Sequence, residues 1–112
     1  EIKNNTLYFI KIDNHIIGTI AYHMRKDMSC YLSNMIIDPQ YQRQGIAREA
    51  CLFLLDKCKE AKRIDLTVQP ENKPAIKLYE SLGFRKQSYK KDYYGDGEPR
   101  LMLELNLMFS RR

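Results

Sequence analysis

Cysteine and histidine are scarce in this 112-residue sequence, and tryptophan is absent. The three cysteines, Cys30, Cys51 and Cys58, form no C-x-x-C pair, and both histidines, His15 and His23, lie far from Cys51 and Cys58 in sequence. This pattern argues against a disulfide scaffold and against a metal site. It predicts reduced, buried thiols in a cytoplasmic protein.

Long hydrophobic runs, internal repeats and low-complexity segments are also missing. No apolar run approaches the ~20 residues that a membrane-spanning helix requires. The opening segment EIKNNTLYFI has no basic stretch followed by an apolar one, so no signal peptide is predicted. We therefore expect a single domain over residues 1–112, with no membrane partner.

The sequence has the proportions of apolar and charged residues that are typical of a globular protein, with an excess of positive charge. Apolar residues make up 44% and charged residues 29%, and 19 Lys and Arg against 14 Asp and Glu give a net charge of +5. The surplus suits an anionic ligand without identifying it. Because the basic residues are scattered and the aromatic residues form no known RNA-binding signature, no nucleic-acid partner is predicted.

Hydrophobic periodicity predicts strands in the first third and then an alternation of helices and strands. Alternating apolar residues indicate the strands, and apolar residues spaced by four indicate the helices. The predicted order is β-β-β-α-β-α-β-β, with strands at 6–12, 15–24, 30–38, 63–69, 84–93 and 101–107, and helices at 45–60 and 72–82.

Local signals support the ends of these elements. Pro39 closes the third strand, Asn72 is a plausible N-cap, and Gly83 is a helix stop. A strand, a helix and a second strand in succession form a crossover, so strands 30–38 and 63–69 should be parallel. The predicted fold class is α+β, a mixed central sheet with helices packed on it.

The segment PQYQRQGIAREA leads from the third strand into the first helix, and it has the properties of an anion-binding turn. A helix N-terminus exposes unpaired N–H groups and carries partial positive charge. Gly45 and Ala47 leave room for a close approach to the backbone, and Arg43 and Arg48 add charge. The alternative is an ordinary turn with solvated arginines.

Two segments resemble signatures of the GNAT superfamily of N-acetyltransferases. QRQGIA (42–47) is similar to the loop that binds the pyrophosphate of acetyl-coenzyme A, and LTVQPENKPAIKLYESLGF (66–84) is similar to the second signature. The nearest likeness is to the ribosomal-protein-alanine and amino-terminal acetyltransferase branch. The resemblance implies a GNAT-like sheet that lacks, or has truncated, the usual N-terminal strand and helices.

The resemblance also implies the reaction, the co-substrate and its contacts. An acetyl group would move from acetyl-coenzyme A to a primary amine, either a protein N-terminus or a small molecule, and no metal would be needed. The residues expected to contact the coenzyme are Met35, Ile36, Ile37, Gln42, Arg43, Gln44, Gly45, Ile46, Ala47, Arg48 and Asn72. A core strand (35–37) and a plain N-cap (Asn72) are the alternative interpretations.

For catalysis, the resemblance assigns Tyr79 as the general acid and Tyr31 as a residue that orders a water molecule. Each could instead be a packed aromatic residue. The resemblance does not identify a general base. Relatives carry Glu or His where this chain has Thr67, and threonine cannot accept a proton at neutral pH. This favours an acceptor amine of low pKa and leaves a second hypothesis open, a catalytically inactive coenzyme A-binding sensor or interaction module.

Overall fold

The computed structural model describes residues 2–92 and 95–107 and contains six strands and two α-helices within them. Both helices and all six strands occur in the predicted order. The elements are β1 (Ile2–Ile12), β2 (His15–Arg25), β3 (Ser29–Ile37), α1 (Ile46–Lys57), β4 (Arg63–Val68), α2 (Lys73–Ser81), β5 (Arg85–Lys90) and β6 (Arg100–Asn106). A 3₁₀ turn, Pro39–Tyr41, follows β3.

The boundaries differ from the predicted ones where local hydrogen bonds intervene. The strand expected at 84–93 ends at Lys90, because Asp92 begins a turn in which its backbone carbonyl accepts from Gly95 and its side chain accepts from Gly97. Residue 93 lies outside the described residues. β1 starts at Ile2 rather than at residue 6, since its pairing with β2 continues to Arg25.

All six strands join one sheet in the order β1-β2-β3-β4-β6-β5. The β3–β4 pair is parallel and the other pairs are antiparallel, which confirms the predicted mixed sheet. The parallel ladder is short: it joins Ser29–Tyr31 to Arg63–Asp65 and then ends. Beyond it, the two strands remain paired only to their outer neighbours, β2 and β6.

A β-bulge in β3 accompanies this separation. Tyr22 pairs with Leu32 and Ala21 pairs with Asn34, so Ser33 is an extra residue with no partner in β2. A bulge bends its strand and shifts the alternation of its side chains. As a result Leu32 and Met35, on either side of the bulge, both pack into the core under the helices.

The core lies between one face of the sheet and the two helices. Its most deeply buried large side chains come from β2, α1, β4, β6 and the turn after α2, and are Ile20, Leu54, Ile64, Leu66, Leu103 and Phe84. On the other face of the sheet, Leu7, Phe9 and Ile36 are each more than half exposed. No helix in the described part of the chain is long and apolar enough to cross a bilayer.

Gly18 marks a close approach between β2 and the end of β3. A Cβ atom on this residue would lie 2.4 Å from the backbone oxygen of Ile36 and 3.3 Å from the Cα of Ile37. Both are backbone atoms, so they cannot rotate away. The clash would have to be relieved by moving one strand.

We therefore expect Gly18→Ala to lower the free energy of unfolding by about 2 kcal/mol or more, as measured by urea denaturation. The control is Gly95→Ala, where φ is +79° but nothing lies within 4 Å, so only the backbone penalty of about 1 kcal/mol applies. A Gly18→Ala chain as stable as the wild type would contradict the close approach.

Candidate functional site

A cavity of about 860 Å³ opens where β3 and β4 separate. Its walls are formed by residues 32–37 of β3, residues 66–69 at the end of β4, the loop before α1, the first turn of α1, one side of α2 from its cap to Tyr79, and Arg100. Where two neighbouring strands separate, their facing backbone N–H and C=O groups no longer form hydrogen bonds with each other. The cavity is therefore lined by backbone capable of binding an extended polar ligand.

The paired end of the two strands is held by an ion-pair network on the face opposite the helices. The buried carboxylate of Asp65 accepts from Arg25 at 2.6 Å and from Arg63 at 3.1 Å. Arg63 also reaches Asp27 at 3.3 Å, and Asp27 accepts from the Ser29 hydroxyl and backbone N–H, which hold the pKa of Asp27 down at about 2. These contacts fix the ladder up to the point where the strands part.

The loop at 38–45 places the N-terminus of α1 beside this cavity. Asp38 accepts from the Gln40 backbone N–H at 3.0 Å, and the Gln42 side chain donates to the Ile37 carbonyl at 2.9 Å, which ties the loop to the end of β3. Arg43 and Gly45 have left-handed φ angles of 65° and 81°, and α1 starts at the next residue. Ala47, in the first turn of α1, faces the cavity.

Most of the residues predicted to contact a coenzyme come together around this cavity. Those that line it are Met35, Ile36, Ile37, Gln42, Arg43, Ala47 and Asn72. Asn72 also caps α2, since its Oδ1 accepts from the Ala75 backbone N–H at 3.3 Å, so the two roles considered for it are compatible in one side chain.

Four of the predicted contact residues do not line the cavity with their side chains. Arg48 donates to the Ser81 hydroxyl at 2.9 Å and bridges α1 to α2, while Gln44 donates to the Gln40 carbonyl at 3.4 Å. Ile46 lines a smaller apolar cavity beside β1, and Gly45 is the residue before the helix. For Ile46 and Arg48 the helical period explains this placement, because the residues that flank Ala47 in α1 point to other sides of the helix.

Tyr79 is both a core residue and a cavity residue. Its ring is buried and packs edge-on against Phe84 with centroids 5.7 Å apart. Burial, and to a smaller extent Cys51, raises the pKa of its hydroxyl well above the usual value near 10, so the phenol is held protonated.

The Tyr79 hydroxyl has no hydrogen-bond partner within residues 2–92 and 95–107. Every fully buried polar side-chain atom of the described residues does have a partner, so this hydroxyl must open on the cavity that Tyr79 lines. A buried tyrosine usually finds a partner for its O–H. The arrangement leaves a protonated donor directed at whatever fills the cavity.

Tyr31 is not among the residues that line the cavity; it forms the last ladder pair with Asp65, just beyond the closed end where β3 and β4 part. Its hydroxyl is 3.2 Å from the Thr67 hydroxyl, which lines the cavity. The Arg25 guanidinium lies 4.9 Å above the Tyr31 ring, and His23 packs at 5.4 Å between ring centroids. Burial and the neighbouring Arg25 lower the pKa of His23, which favours the neutral imidazole. Tyr31 is thus packed and also hydrogen-bonded to a cavity residue.

Several cavity residues are not among the predicted coenzyme contacts or catalytic residues. Arg100, at the start of β6, lines the cavity and adds positive charge to it. The others that sequence reasoning missed are Leu32, Asn34, Leu66, Val68, Gln69, Pro74, Ala75 and Leu78. Their positions follow from the separation of the strands, which no local pattern encodes. Within the described ranges, no cluster of three or more His, Cys, Asp or Glu could hold a metal ion.

Comparison with known proteins decides the family. The model for the acetyltransferase (GNAT) family matches residues 1–84. The chain belongs to the GNAT acetyltransferase family. The resemblance predicted from the two sequence signatures is thereby confirmed.

Relatives of this GNAT chain include two named N-acetyltransferases. It is 40% identical over 65 residues to the [ribosomal protein bS18]-alanine N-acetyltransferase of Escherichia coli (strain K12), covering 56% of this chain and 44% of that protein. It is 40% identical over 106 residues to an N-alpha-acetyltransferase of Saccharolobus solfataricus, covering 81% and 64%. The chain thus spans about half to two-thirds of the length of these relatives.

Solved structures confirm the GNAT fold. The E. coli ribosomal-protein-S18-alanine N-acetyltransferase superposes with a TM-score of 0.82 at 29% identity, covering 92% of this chain and 69% of that one. An acetyltransferase from Bacillus anthracis str. Ames, solved with acetyl coenzyme A, superposes with a TM-score of 0.81 at 25% identity, covering 93% and 63%. In both cases, part of the other protein's chain lies outside the match.

Because the Tyr79 hydroxyl has no partner within the described residues, its removal should have little effect on the free energy of unfolding. Removing a hydroxyl that opens on the cavity and has no partner in the fold forfeits no hydrogen bond, so Tyr79→Phe should change the free energy of unfolding by less than about 1 kcal/mol. Tyr79→Ala, which removes the whole ring from the core, should cost about 3–5 kcal/mol. Both are measured by urea denaturation. If Tyr79→Phe is as destabilising as Tyr79→Ala, the hydroxyl has a structural partner and is not free for a ligand.

Proposed function

We propose that this chain is the coenzyme-binding and catalytic part of an N-acetyltransferase that moves an acetyl group from acetyl-coenzyme A to the α-amino group of a protein N-terminus. The observation that carries the proposal is the cavity between β3 and β4, which combines exposed strand backbone, a helix N-terminus and a protonated phenol. The names of the E. coli and S. solfataricus relatives support the acceptor class. A small amine is the alternative acceptor.

The donor would occupy the cavity as an extended chain. Its pyrophosphate suits the loop at 38–45 and the first turn of α1, where unpaired N–H groups and partial positive charge meet at Ala47. Arg43 adds a positive charge to that wall, and Arg100 adds a second. Arg48 contributes to this site through its bridge to Ser81, which fixes the two helices relative to each other.

The pantetheine arm and the thioester suit the exposed edge of β3. Pantetheine contains amide groups that can pair with strand backbone as a neighbouring strand would. A backbone N–H of residues 35–37 would donate to the thioester carbonyl and then to the oxyanion of the tetrahedral intermediate. A single donor of this kind is typically worth about 3 kcal/mol in the transition state.

The reaction then requires that the amine lose one proton and that the leaving thiolate gain one. The neutral amine attacks the carbonyl carbon, a C–N bond forms, and the C–S bond breaks as the intermediate collapses. Tyr79 would donate its proton to the departing thiolate, and its raised pKa means that the proton is present when the thiolate forms. The proton lost by the amine would leave through a water held by Tyr31 and Thr67, whose hydroxyls lie 3.2 Å apart at the closed end.

Thr67 limits which amines can react. An α-amino group with a pKa of about 7.8 is roughly 14% neutral at pH 7, whereas a lysine side chain with a pKa of about 10.4 is roughly 0.04% neutral. The difference corresponds to about 3.5 kcal/mol, which a threonine hydroxyl cannot supply by taking a proton. The chain is therefore suited to acceptors that are already partly deprotonated.

The expected outcome is a preference of about 100-fold or more in kcat/KM, at pH 7, for a peptide with a free N-terminus over the same peptide with a blocked N-terminus and one lysine. The measurement is the release of coenzyme A thiol from acetyl-coenzyme A. Tyr79→Phe should lower kcat about 100-fold while the chain remains folded. Equal rates with the two peptides would contradict the acceptor assignment, and unchanged turnover in Tyr79→Phe would remove Tyr79 from the mechanism.

Thr67 is also the one observation that favours a second function, a coenzyme A-binding module without turnover. The two are separated by the same assay. Coenzyme A binding with no thiol release above the uncatalysed rate, for any amine in a panel of peptides, amino sugars and polyamines, would favour the binding module.

A further inference from the structure

Two of the three thiols lie next to each other in the core. The Sγ atoms of Cys30 and Cys58 are 2.8 Å apart, and both residues are fully buried. Cys51 is also buried, but its nearest sulfur partner is Met35 at 3.9 Å. The sequence indicated three unconnected cysteines, and the fold brings two of them into direct contact.

We propose that Cys30 and Cys58 are a dithiol modification site, which low-molecular-weight disulfides convert to a Cys30–Cys58 disulfide. The inference is independent of the proposed acetyltransferase reaction. A disulfide requires the sulfurs to come to about 2.05 Å, which is about 0.8 Å closer than the 2.8 Å observed.

Backbone hydrogen bonds hold both ends of the pair in place. Cys58 is the C-cap of α1, and its carbonyl accepts from the Ala61 N–H at 2.9 Å. Cys30 pairs with Ile64 in the parallel ladder, and the Lys62 N–H donates to the Met28 carbonyl at 3.0 Å beside it. The pair therefore sits where the end of α1 meets the fixed end of β3 and β4, away from the part of the sheet that opens into the cavity.

An oxidant reaches the pair through the end of the helix. The last turn of a helix frays more readily than its centre, and Cys58 follows the last helical residue. Its neighbours Lys57 and Lys59 are exposed and stabilise a thiolate at Cys58, although Lys59 is also paired with Asp56 at 4.0 Å. Cys58 is the member of the pair at the helix end, and its hydrogen bond with Cys30 lowers its pKa, so Cys58 is the first nucleophile.

The exchange balances without any further reactant. The Cys58 thiolate attacks one sulfur of oxidised glutathione, and one glutathione thiolate leaves. The Cys30 thiolate then attacks the Cys58 sulfur of the mixed disulfide and expels the second glutathione. Two protein thiols are oxidised, one glutathione disulfide is reduced to two thiols, and the two protein protons pass to the glutathione thiolates.

The cross-link would enclose the segment that forms the loop wall of the cavity. Cys30 and Cys58 are 28 residues apart, and the residues between them include most of β3, the loop at 38–45 and all of α1. Closing a loop of this length restricts the unfolded chain. Oxidation is therefore expected to stabilise the folded chain.

The test is oxidation of the purified wild-type chain with oxidised glutathione, with and without sub-denaturing urea, followed by alkylation and peptide mass mapping without reductant. The expected product is one Cys30–Cys58 cross-link, the loss of two hydrogens in the intact mass, and a melting temperature higher by about 10 °C or more that returns to its starting value with dithiothreitol. Urea should speed the reaction, because it promotes opening of the helix end.

The variants Cys51→Ala and Cys58→Ala are matched controls from the same helix. Cys51→Ala should still form the cross-link, and Cys58→Ala should not. A stable glutathione adduct without the cross-link, a cross-link that involves Cys51, or three free thiols after oxidation in urea would each overturn the proposal. The wild-type peptide map decides the question even if a variant fails to fold.

Discussion

The parallel pairing of β3 with β4 stops after three residues on each strand, and the rest of the site depends on that interruption. Up to Tyr31 and Asp65, the strands are joined by backbone bonds and by the Asp65 network with Arg25 and Arg63. Beyond that point, the bulge at Ser33 turns β3 away, while β4 stays with β6. A continuous parallel ladder would satisfy the same backbone groups and leave no cavity.

The helices complete the cavity that the strands begin. α1 starts directly after the loop that is tied to β3 by Gln42, so its N-terminus has one position relative to the strand edge. α2 starts at the Asn72 cap and brings Tyr79 in from the opposite wall. The bridge between Arg48 and Ser81 fixes the two helices to each other. The same cavity is thus lined by the backbone donors of β3, the N-terminus of α1 and the phenol of Tyr79, although these groups come from distant parts of the chain.

Local patterns in the sequence predicted the elements and the loop well. The alternation in β2, the helical spacing in α1, and the Asn72 and Gly83 signals are each encoded within a few residues, so the elements could be placed to within a few residues. The GNAT signatures in 42–47 and 66–84 identified the family for the same reason. What these patterns could not predict depends on contacts between segments far apart in sequence.

Arg48 shows that limit most clearly. Its charge and its place after Gly45 predict a phosphate contact, but no local pattern predicts its hydrogen bond to Ser81, which is 33 residues away on another helix. Arg100 enters the cavity only because β6 lies beside β4, and Cys30 meets Cys58 only through the packing of α1 on β3. The same holds for the free hydroxyl of Tyr79, since burial in the core and access to the cavity are both tertiary properties.

The account is tested most directly by calorimetric titration of coenzyme A into the folded wild-type chain and into Ala47→Glu. The substitution places a bulky negative charge in the first turn of α1, where the helix dipole tolerates it but a pyrophosphate would not. The account predicts binding at one site in the wild type and its loss in Ala47→Glu, with both chains equally folded by circular dichroism. A flat titration with the folded wild-type chain, or equal affinity in Ala47→Glu, would contradict it.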